Sequence, residues 1–216
     1  TYECVKPHDP YISVYFPTET ESKLGFIVQG PYRTTPNRSS IPSNDKDNIR
    51  LANETATLLE EALLELRDAG MLNMSFIKAL PLNSNVFAHF NLFYPLFEKV
   101  RKLFHHERII PTYSGKYVTA KEAKSPRPER LLTLFSDELL TSLHADGTKY
   151  KWLGAFLTET NPEYEHVYRY LVNELKIAVI RPENLRLYFD KNPLFLPQRS
   201  NDWLVELYSV YENVSS

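Results

Sequence analysis

The chain has 216 residues and a nearly balanced charge, with 25 Lys and Arg against 27 Asp and Glu. This length suits one large domain or two small ones, and 43% hydrophobic residues with 13% aromatics indicate a globular chain rather than a disordered one. The formal charge of −2 provides no general electrostatic attraction for nucleic acid or an acidic membrane.

The first 30 residues have the pattern of a small β-sheet. Residues 11–16 alternate between apolar and polar side chains, and residues 26–28 are strand formers. The polar segment 17–23 is predicted to be the turn of a hairpin that joins them. Proline has no amide hydrogen and fixes its own φ, so we predict that the chain leaves the sheet at Gly30-Pro31.

A polar loop at residues 34–47 precedes the clearest helix in the sequence. Apolar residues recur at intervals of three and four over residues 49–69, and Gly70 is the predicted stop. The candidate N-terminal caps are Asn44, Asp45 and Asp47. The other face is charged and is interpreted as solvated: Glu54, Glu60, Glu61, Glu65 and Arg67.

Two further helices are predicted before the middle of the chain. A short helix covers residues 75–80, and a longer one at 85–105 contains Pro95, which must kink or divide it. An apolar stripe at helical spacing on the longer helix is predicted to be core: Phe87, Phe90, Phe93, Phe97, Val100 and Phe104.

A subdomain boundary is predicted after a small hairpin that joins residues 108–112 to 116–119. The polar, proline-containing segment 120–128 is interpreted as a linker. We therefore predict an α+β fold with two subdomains. Residues 1–119 form a small antiparallel or mixed sheet with a long helix, and residues 120–216 are mainly helical.

The second subdomain is predicted to be helical apart from one buried strand at residues 177–180. The predicted helices cover residues 129–135, 137–145, 163–175, 183–190 and 202–213. Basic residues near the boundary alternate with Glu122 and Glu129, and are interpreted as solvated rather than as a nucleic-acid site: Lys116, Lys121, Lys124, Arg127 and Arg130.

The sequence contains none of the common catalytic or nucleotide-binding motifs. Its six glycines are too scattered for a phosphate-binding loop, and there is no G-x-S-x-G. His105 and His106 would point about 100° apart on a helix, and no His lies in a metal-binding motif, so we predict no metal site. Cys4 is a poor nucleophile candidate near the end of the chain. We predict that the chain alone is not an enzyme and holds no cofactor.

The single Cys4 cannot form an intrachain disulfide, which favours a reducing compartment, and we expect a cytoplasmic protein. No apolar stretch approaches the about 18 residues that a membrane helix needs, so we expect no membrane partner. Because the first residue is Thr1 rather than Met, we also expect the chain to be a piece of a longer protein.

A series of short motifs lies within the first third of the chain. They are Phe16-Pro17-Thr18, Phe26-Ile27-Val28, Gly30-Pro31-Tyr32, Thr35-Pro36-Asn37-Arg38-Ser39-Ser40-Ile41, Thr55-Ala56-Thr57-Leu58-Leu59 and Leu66-Arg67-Asp68-Ala69-Gly70-Met71-Leu72. This series resembles the segment that follows the ATP-binding domain in sacsin-like proteins of the GHKL superfamily, which includes gyrase, a heat-shock chaperone, histidine kinases and mismatch-repair ATPases. One departure is Asp47-Asn48, which stands where the family often has a Trp-Asn pair.

The resemblance implies a transducer-like role beside an ATP-binding domain. ATP and Mg²⁺ would be held in the preceding domain, because the superfamily's own nucleotide-binding motifs are missing from this chain. In the chaperone branch of the superfamily, an arginine of the middle domain reaches the γ-phosphate. In this sequence the resemblance makes Arg38 the first candidate for such a phosphate-sensing residue, Arg33 the reserve and Thr35 a further candidate, and Thr35 is also expected to stiffen their turn.

Two functions remain open at this point. The chain is either the transducer-like region of a sacsin-like ATPase, with the preceding ATP-binding domain as its partner, or a non-catalytic module that binds a partner or client protein. An arginine on a fixed turn presents five donors suited to a phosphate or carboxylate, whereas the alternative for Arg38 is a surface ion pair with an acidic neighbour. A nuclease is a weaker third option, because clustered carboxylates with a lysine at usable spacing are missing.

Overall fold

The computed structural model describes residue 7 and residues 11–14, 16–144 and 146–212, except for the side chain of Phe16. Cys4, Tyr15, Ala145 and Asn213, which figure in the predictions above, lie outside the described residues. The predicted α+β class is confirmed, with 44% helix and 11% strand. The chain divides into unit 1, Thr1–Ile109, and unit 2, Ile110–Ser216, whereas the sequence placed the boundary after Thr119.

Unit 1 begins with an antiparallel hairpin of β1 (Tyr11–Val14) and β2 (Phe16–Glu21), in which Val14 lies opposite Phe16. The prediction that residues 17–23 form a turn was wrong, because the chain already reverses between these strands. Residues 26–28 are not a strand either, although Val28 accepts one backbone hydrogen bond from Ser13. The polar strand β2 is stabilised on its inner side by the buried Thr18 hydroxyl, which donates to Ile12 O at 2.9 Å.

Helix α1 (Lys46–Asp68) confirms the long predicted helix. Of the three candidate caps, Asp45 performs this role, because its carboxylate accepts hydrogen bonds from the backbone N–H groups of Asp47 and Asn48. Gly70 lies just beyond the helix with a φ of +66°, a conformation that favours glycine. The apolar side of α1 packs against the third helix of unit 1.

Helices α2 (Met74–Ala79) and α3 (Tyr94–His106) complete unit 1. The predicted helix at residues 85–105 is only half present, since α3 begins beside Pro95, where a missing amide hydrogen costs nothing. The preceding residues form turns, and Asn91 fixes one of them by accepting from Phe93 N at 2.8 Å. The aromatic stripe is core as predicted with one exception, because Phe90 lies in these turns and is 80% exposed.

Unit 2 contains the predicted hairpin, formed by β3 (Ile110–Pro111) and β4 (Tyr117–Val118). It also contains a parallel sheet in the order β6-β5-β7, with β5 (Ala123–Pro126), β6 (Lys151–Trp152) and β7 (Ala178–Ile180). Strand β7 confirms the predicted strand. The interpretation of residues 120–128 as a linker was wrong, because this segment contributes the central strand, and most residues of that strand are buried.

The helices of unit 2 enclose a core that includes Phe135, Trp152, Leu185 and Val210. They correspond to the five predicted helices and are α4 (Leu131–Leu134), α5 (Asp137–Ser142), α6 (Glu165–Arg169), α7 (Pro182–Lys191) and α8 (Asn201–Glu212). A π-helix, Tyr170–Glu174, extends α6 and accounts for the rest of that prediction. Within the described residues, none of the helices has both the length and the apolar character required to cross a membrane.

Candidate functional site

Residues 34–41, here named the Arg38 turn, are fixed by their own polar groups. The backbone N–H of Thr35 donates to Ser40 O at 2.9 Å, and that of Arg38 donates to Thr35 O at 2.8 Å. The Thr35 hydroxyl donates to Asn37 Oδ1 at 2.7 Å and accepts from Ser40 N at 3.2 Å. Asn37 Oδ1 also accepts from the Ser39 hydroxyl at 2.9 Å. Thr35 therefore stabilises the turn, and its hydroxyl is already engaged there.

Arg38 occupies the most unusual position in this turn. Its φ is +59°, in the left-handed region that costs a non-glycine residue on the order of 1–2 kcal/mol. Its side chain is exposed, and among the described residues no group forms a hydrogen bond or an ion pair with its guanidinium. The guanidinium therefore retains all five of its donors for a ligand.

Arg33 is engaged differently, because its guanidinium faces the acidic N-terminus of α1. Nη2 lies 2.5 Å from Asp47 Oδ2, and Nη1 lies 3.8 Å from Asp45 Oδ2. The Arg33 side chain is 66% exposed, so these ion pairs add only about 0–1 kcal/mol of stability. They nevertheless orient the guanidinium towards α1. The surface ion pair considered for Arg38 is thus formed by its neighbour Arg33.

Asn48, in the first turn of α1, holds both ends of this loop and was not identified from the sequence. Its Oδ1 accepts from Arg33 N at 2.7 Å, and its Nδ2 donates to Arg33 O at 2.9 Å and to Pro42 O at 3.0 Å. The residue is fully buried. A sequence signal existed, since Asn48 precedes Ala52 and Ala56 at intervals of four, which places a polar amide on the apolar face of α1.

The flanks of the Arg38 turn are also attached to unit 1. Thr20 of β2 accepts from Ile41 N at 3.1 Å, and its hydroxyl donates to Ser39 O at 3.4 Å. On the other flank, the Tyr32 hydroxyl hydrogen-bonds the Thr55 hydroxyl of α1 at 3.0 Å, and its ring meets Phe93 edge-on. Burial raises the pKa of Tyr32, so its phenol remains neutral at physiological pH.

A cluster of charged and polar side chains surrounds Tyr150 in unit 2. The Nζ atom of Lys124 lies 4.2 Å from the centre of the Tyr150 ring, and the Tyr150 hydroxyl donates to Asp146 Oδ2 at 2.6 Å. This hydrogen bond lowers the pKa of Asp146, and burial lowers the pKa of Lys124. The sequence interpretation of Lys124 as solvated was therefore wrong. Arg127 is also half-buried and donates to Leu157 O at 3.2 Å.

His144 lies between two tyrosine rings of the same cluster. Its ring centre is 4.1 Å from that of Tyr150 and 4.8 Å from that of Tyr188. Nδ1 is 3.0 Å from Leu140 O, whereas Nε2 is buried with no hydrogen-bond partner in the described part of the chain. Burial lowers the pKa of His144, because a second N–H would have no acceptor and the charge would be poorly solvated. These contacts indicate a neutral, packed imidazole.

In the ranges that the structure describes, no three His, Cys, Asp or Glu side chains are grouped so that they could hold a metal ion. Comparison with known protein families, with curated proteins and with solved structures finds no match to this chain.

Proposed function

We propose that this chain is the transducer-like region of a sacsin-like, chaperone-type ATPase and couples the nucleotide state of a preceding domain to a conformational change. ATP and Mg²⁺ would be bound in that domain, and the chain itself would be non-catalytic. The supporting observation is the exposed Arg38 guanidinium, which has no partner among the described residues and is carried by a hydrogen-bonded turn. The single cysteine supports a reducing, cytoplasmic location.

The physical case rests on the γ-phosphate, whose charge is present before hydrolysis and lost with the released phosphate. A guanidinium that binds this group has a strong, bidentate partner only while ATP is intact. Arg38 can accept such a partner without breaking another interaction, whereas Arg33 would first have to leave Asp47. Arg38 is therefore the primary candidate and Arg33 the reserve.

Order in the turn also favours binding by Arg38. An arginine side chain loses up to about 2 kcal/mol of rotamer entropy when it is immobilised. A backbone that is already fixed by Thr35, Asn37 and Ser40 adds little to this cost. The backbone N–H of Arg38, whose φ is +59°, donates to Thr35 O at 2.8 Å, so the direction in which its side chain leaves the backbone is set before any ligand arrives.

The experiment uses a protein that contains this chain together with its N-terminal ATP-binding domain. Arg38→Ala should lower ATP turnover by roughly 10- to 1000-fold, since one charge-stabilising donor is lost, and should leave the Kd for ATP within about twofold. Arg50→Ala is the matched control, because this exposed guanidinium of α1 lies outside the turn and pairs with Glu54 Oε1 at 2.6 Å, and it should retain nearly full turnover. Arg33→Ala tests the reserve candidate. Unchanged turnover in Arg38→Ala would refute the coupling role.

A second candidate, a module that binds a client or partner protein, is favoured by exposed apolar side chains. Val205 and Tyr208 are each 68% exposed and lie three residues apart on α8, so both are on one face. This function predicts that Val205→Ser with Tyr208→Ser abolishes capture of a partner, while Arg38→Ala has no effect on capture or turnover.

A further inference from the structure

The loop of residues 33–42 is closed at both ends by the amide of one side chain. Asn48 binds the backbone N–H and C=O of Arg33 at the start of the loop and the C=O of Pro42 at its end. On the basis of the proposed function, we infer that Asn48 is a positioning residue. It fastens the Arg38 turn to α1, so that binding at the Arg38 guanidinium moves α1 and is not absorbed by the loop.

The chemistry at position 48 can be met by a primary amide and by few other groups. The site requires one acceptor for Arg33 N–H and two donors for the carbonyls of Arg33 and Pro42. An asparagine amide supplies this set in one plane, whereas a carboxylate of the same shape supplies acceptors only. Because Asn48 is fully buried, water cannot replace a missing donor without disturbing the packing.

The loop has further attachments in unit 1, so it would move with its surroundings. Thr20 of β2 forms hydrogen bonds with Ile41 and Ser39, and the Tyr32 hydroxyl forms one with Thr55 of α1. These contacts lie on both sides of Arg38. A displacement of the guanidinium would therefore be transmitted to β2 through Thr20 and to the N-terminal half of α1 through Asn48 and Thr55.

Helix α1 is long enough to carry this displacement across unit 1. Its 23 residues span about 34 Å at 1.5 Å per residue. Further along, Glu60 accepts from Lys99 Nζ of α3 at 2.6 Å, and both side chains are two-thirds buried. Near the end of α1, Arg67 Nη1 lies 3.4 Å from Oε2 of Glu107, the residue that caps α3. Through these ion pairs, α1 and α3 would shift together.

The test is a double-mutant cycle on turnover in the protein that joins this chain to its ATP-binding domain. Asn48→Asp keeps the side-chain shape but turns an acceptor towards two carbonyls. It should reduce kcat at least about fivefold, with KM for ATP within about twofold, in assays held well below the melting temperature of the variants. In an Arg38→Ala background the same change should cost less than about twofold, because the turn no longer carries its guanidinium.

Asn53→Asp is the matched control, because Asn53 is an exposed residue of α1 whose amide donates to Ile49 O at 2.8 Å. Its turnover should stay within about twofold of the unmodified protein. Thr20→Val removes the hydrogen bonds that attach Ser39 and Ile41 to β2. It is a second test that does not depend on the folding of Asn48→Asp. It should also lower kcat in the parent and have little further effect in Arg38→Ala.

Equal losses of turnover in both backgrounds would show that Asn48 acts independently of Arg38 and would overturn the positioning role. Full turnover of both Asn48→Asp and Thr20→Val beside an impaired Arg38→Ala would overturn it as well, while leaving the proposed function intact. If Arg38→Ala itself has full turnover, the proposed function fails and the positioning role fails with it.

Discussion

Replacing Asn48 with alanine measures how strongly the loop is held in the folded chain. The change removes three hydrogen bonds at a fully buried position. It leaves the N–H and C=O of Arg33 without this partner, whereas Pro42 O keeps a long hydrogen bond from Asp45 N at 3.5 Å. Each such bond contributes about 0.5–1.5 kcal/mol, and a group left unsatisfied costs about 1–3 kcal/mol. The higher helix propensity of alanine offsets at most about 0.7 kcal/mol. Three such bonds less this offset give an expected fall in the free energy of unfolding of about 1–4 kcal/mol.

The two tryptophans make the location of this loss measurable in a urea titration. Trp152 and Trp203 both lie in unit 2, so their fluorescence reports that unit, whereas far-UV circular dichroism also reports α1. Asn48→Ala should lower the midpoint of the unfolding transition followed by circular dichroism, and the fluorescence midpoint shows whether unit 2 loses stability as well. Asn53→Ala, at an exposed site, should change stability by less than about 0.5 kcal/mol. A loss below 1 kcal/mol for Asn48→Ala would refute the reasoning.

Three further predictions concern single positions. Gly25→Ala should destabilise unit 1 by about 1–3 kcal/mol in thermal unfolding followed by circular dichroism, because the added Cβ would lie 2.5 Å from Ala79 Cα; an unchanged melting temperature would contradict this close approach. Burial depresses the pKa of His144, so the unfolded chain takes up its proton first as the pH falls. The protonation of His144 should accordingly not affect the stability of unit 2 at pH values above the unfolded pKa of about 6.5, and should lower that stability at pH values below it. Urea midpoints measured at several pH values should show a smaller decrease in His144→Phe. Trp152→Phe should cost about 1–2 kcal/mol, measured with the remaining tryptophan, because the indole N–H donates to the buried Phe135 O at 2.7 Å; a smaller loss would mean that water replaces this bond.

The parts of the fold that sequence analysis predicted correctly are those with local signals. Helix α1 has an apolar face at helical spacing, a capping aspartate at Asp45 and a glycine stop at Gly70. The hairpin of β3 and β4 likewise depends on a turn between adjacent segments. In each case the residues that determine the structure lie within a few positions of one another.

The parts that were predicted wrongly depend on distant partners. Strand β5 contains Lys124, Ser125 and Pro126, a composition typical of a linker. It becomes a central strand because Lys124 lies beside Trp152 on one side and beside Ala178 on the other. No local sequence pattern predicts those neighbouring strands, and Lys124 is half-buried because it lies between them.

The candidate site shows the same division. A turn with hydroxyl, asparagine and proline residues is readable from the sequence, and Arg38 lies on such a turn. The choice of Asp47 as the partner of Arg33 depends on how the loop returns to α1. The role of Asn48 depends on the same return, which brings the backbone of Arg33 within reach of its amide. The function of Arg38 stays a prediction.

The topology of unit 2 has a consequence for synthesis on the ribosome. Strand β5 ends at Pro126, but its neighbour β7 ends at Ile180, and Trp203 of α8 donates to Leu134 O of α4 at 2.8 Å. At about 5–20 residues per second, the nascent chain would carry β5 without β7 for roughly 3–11 seconds. Unit 1 has all of its residues by Ile109, before β5 is complete. Premature termination before α8 would therefore leave unit 2 incomplete and part of its apolar core uncovered, which is a natural target for chaperones and proteases.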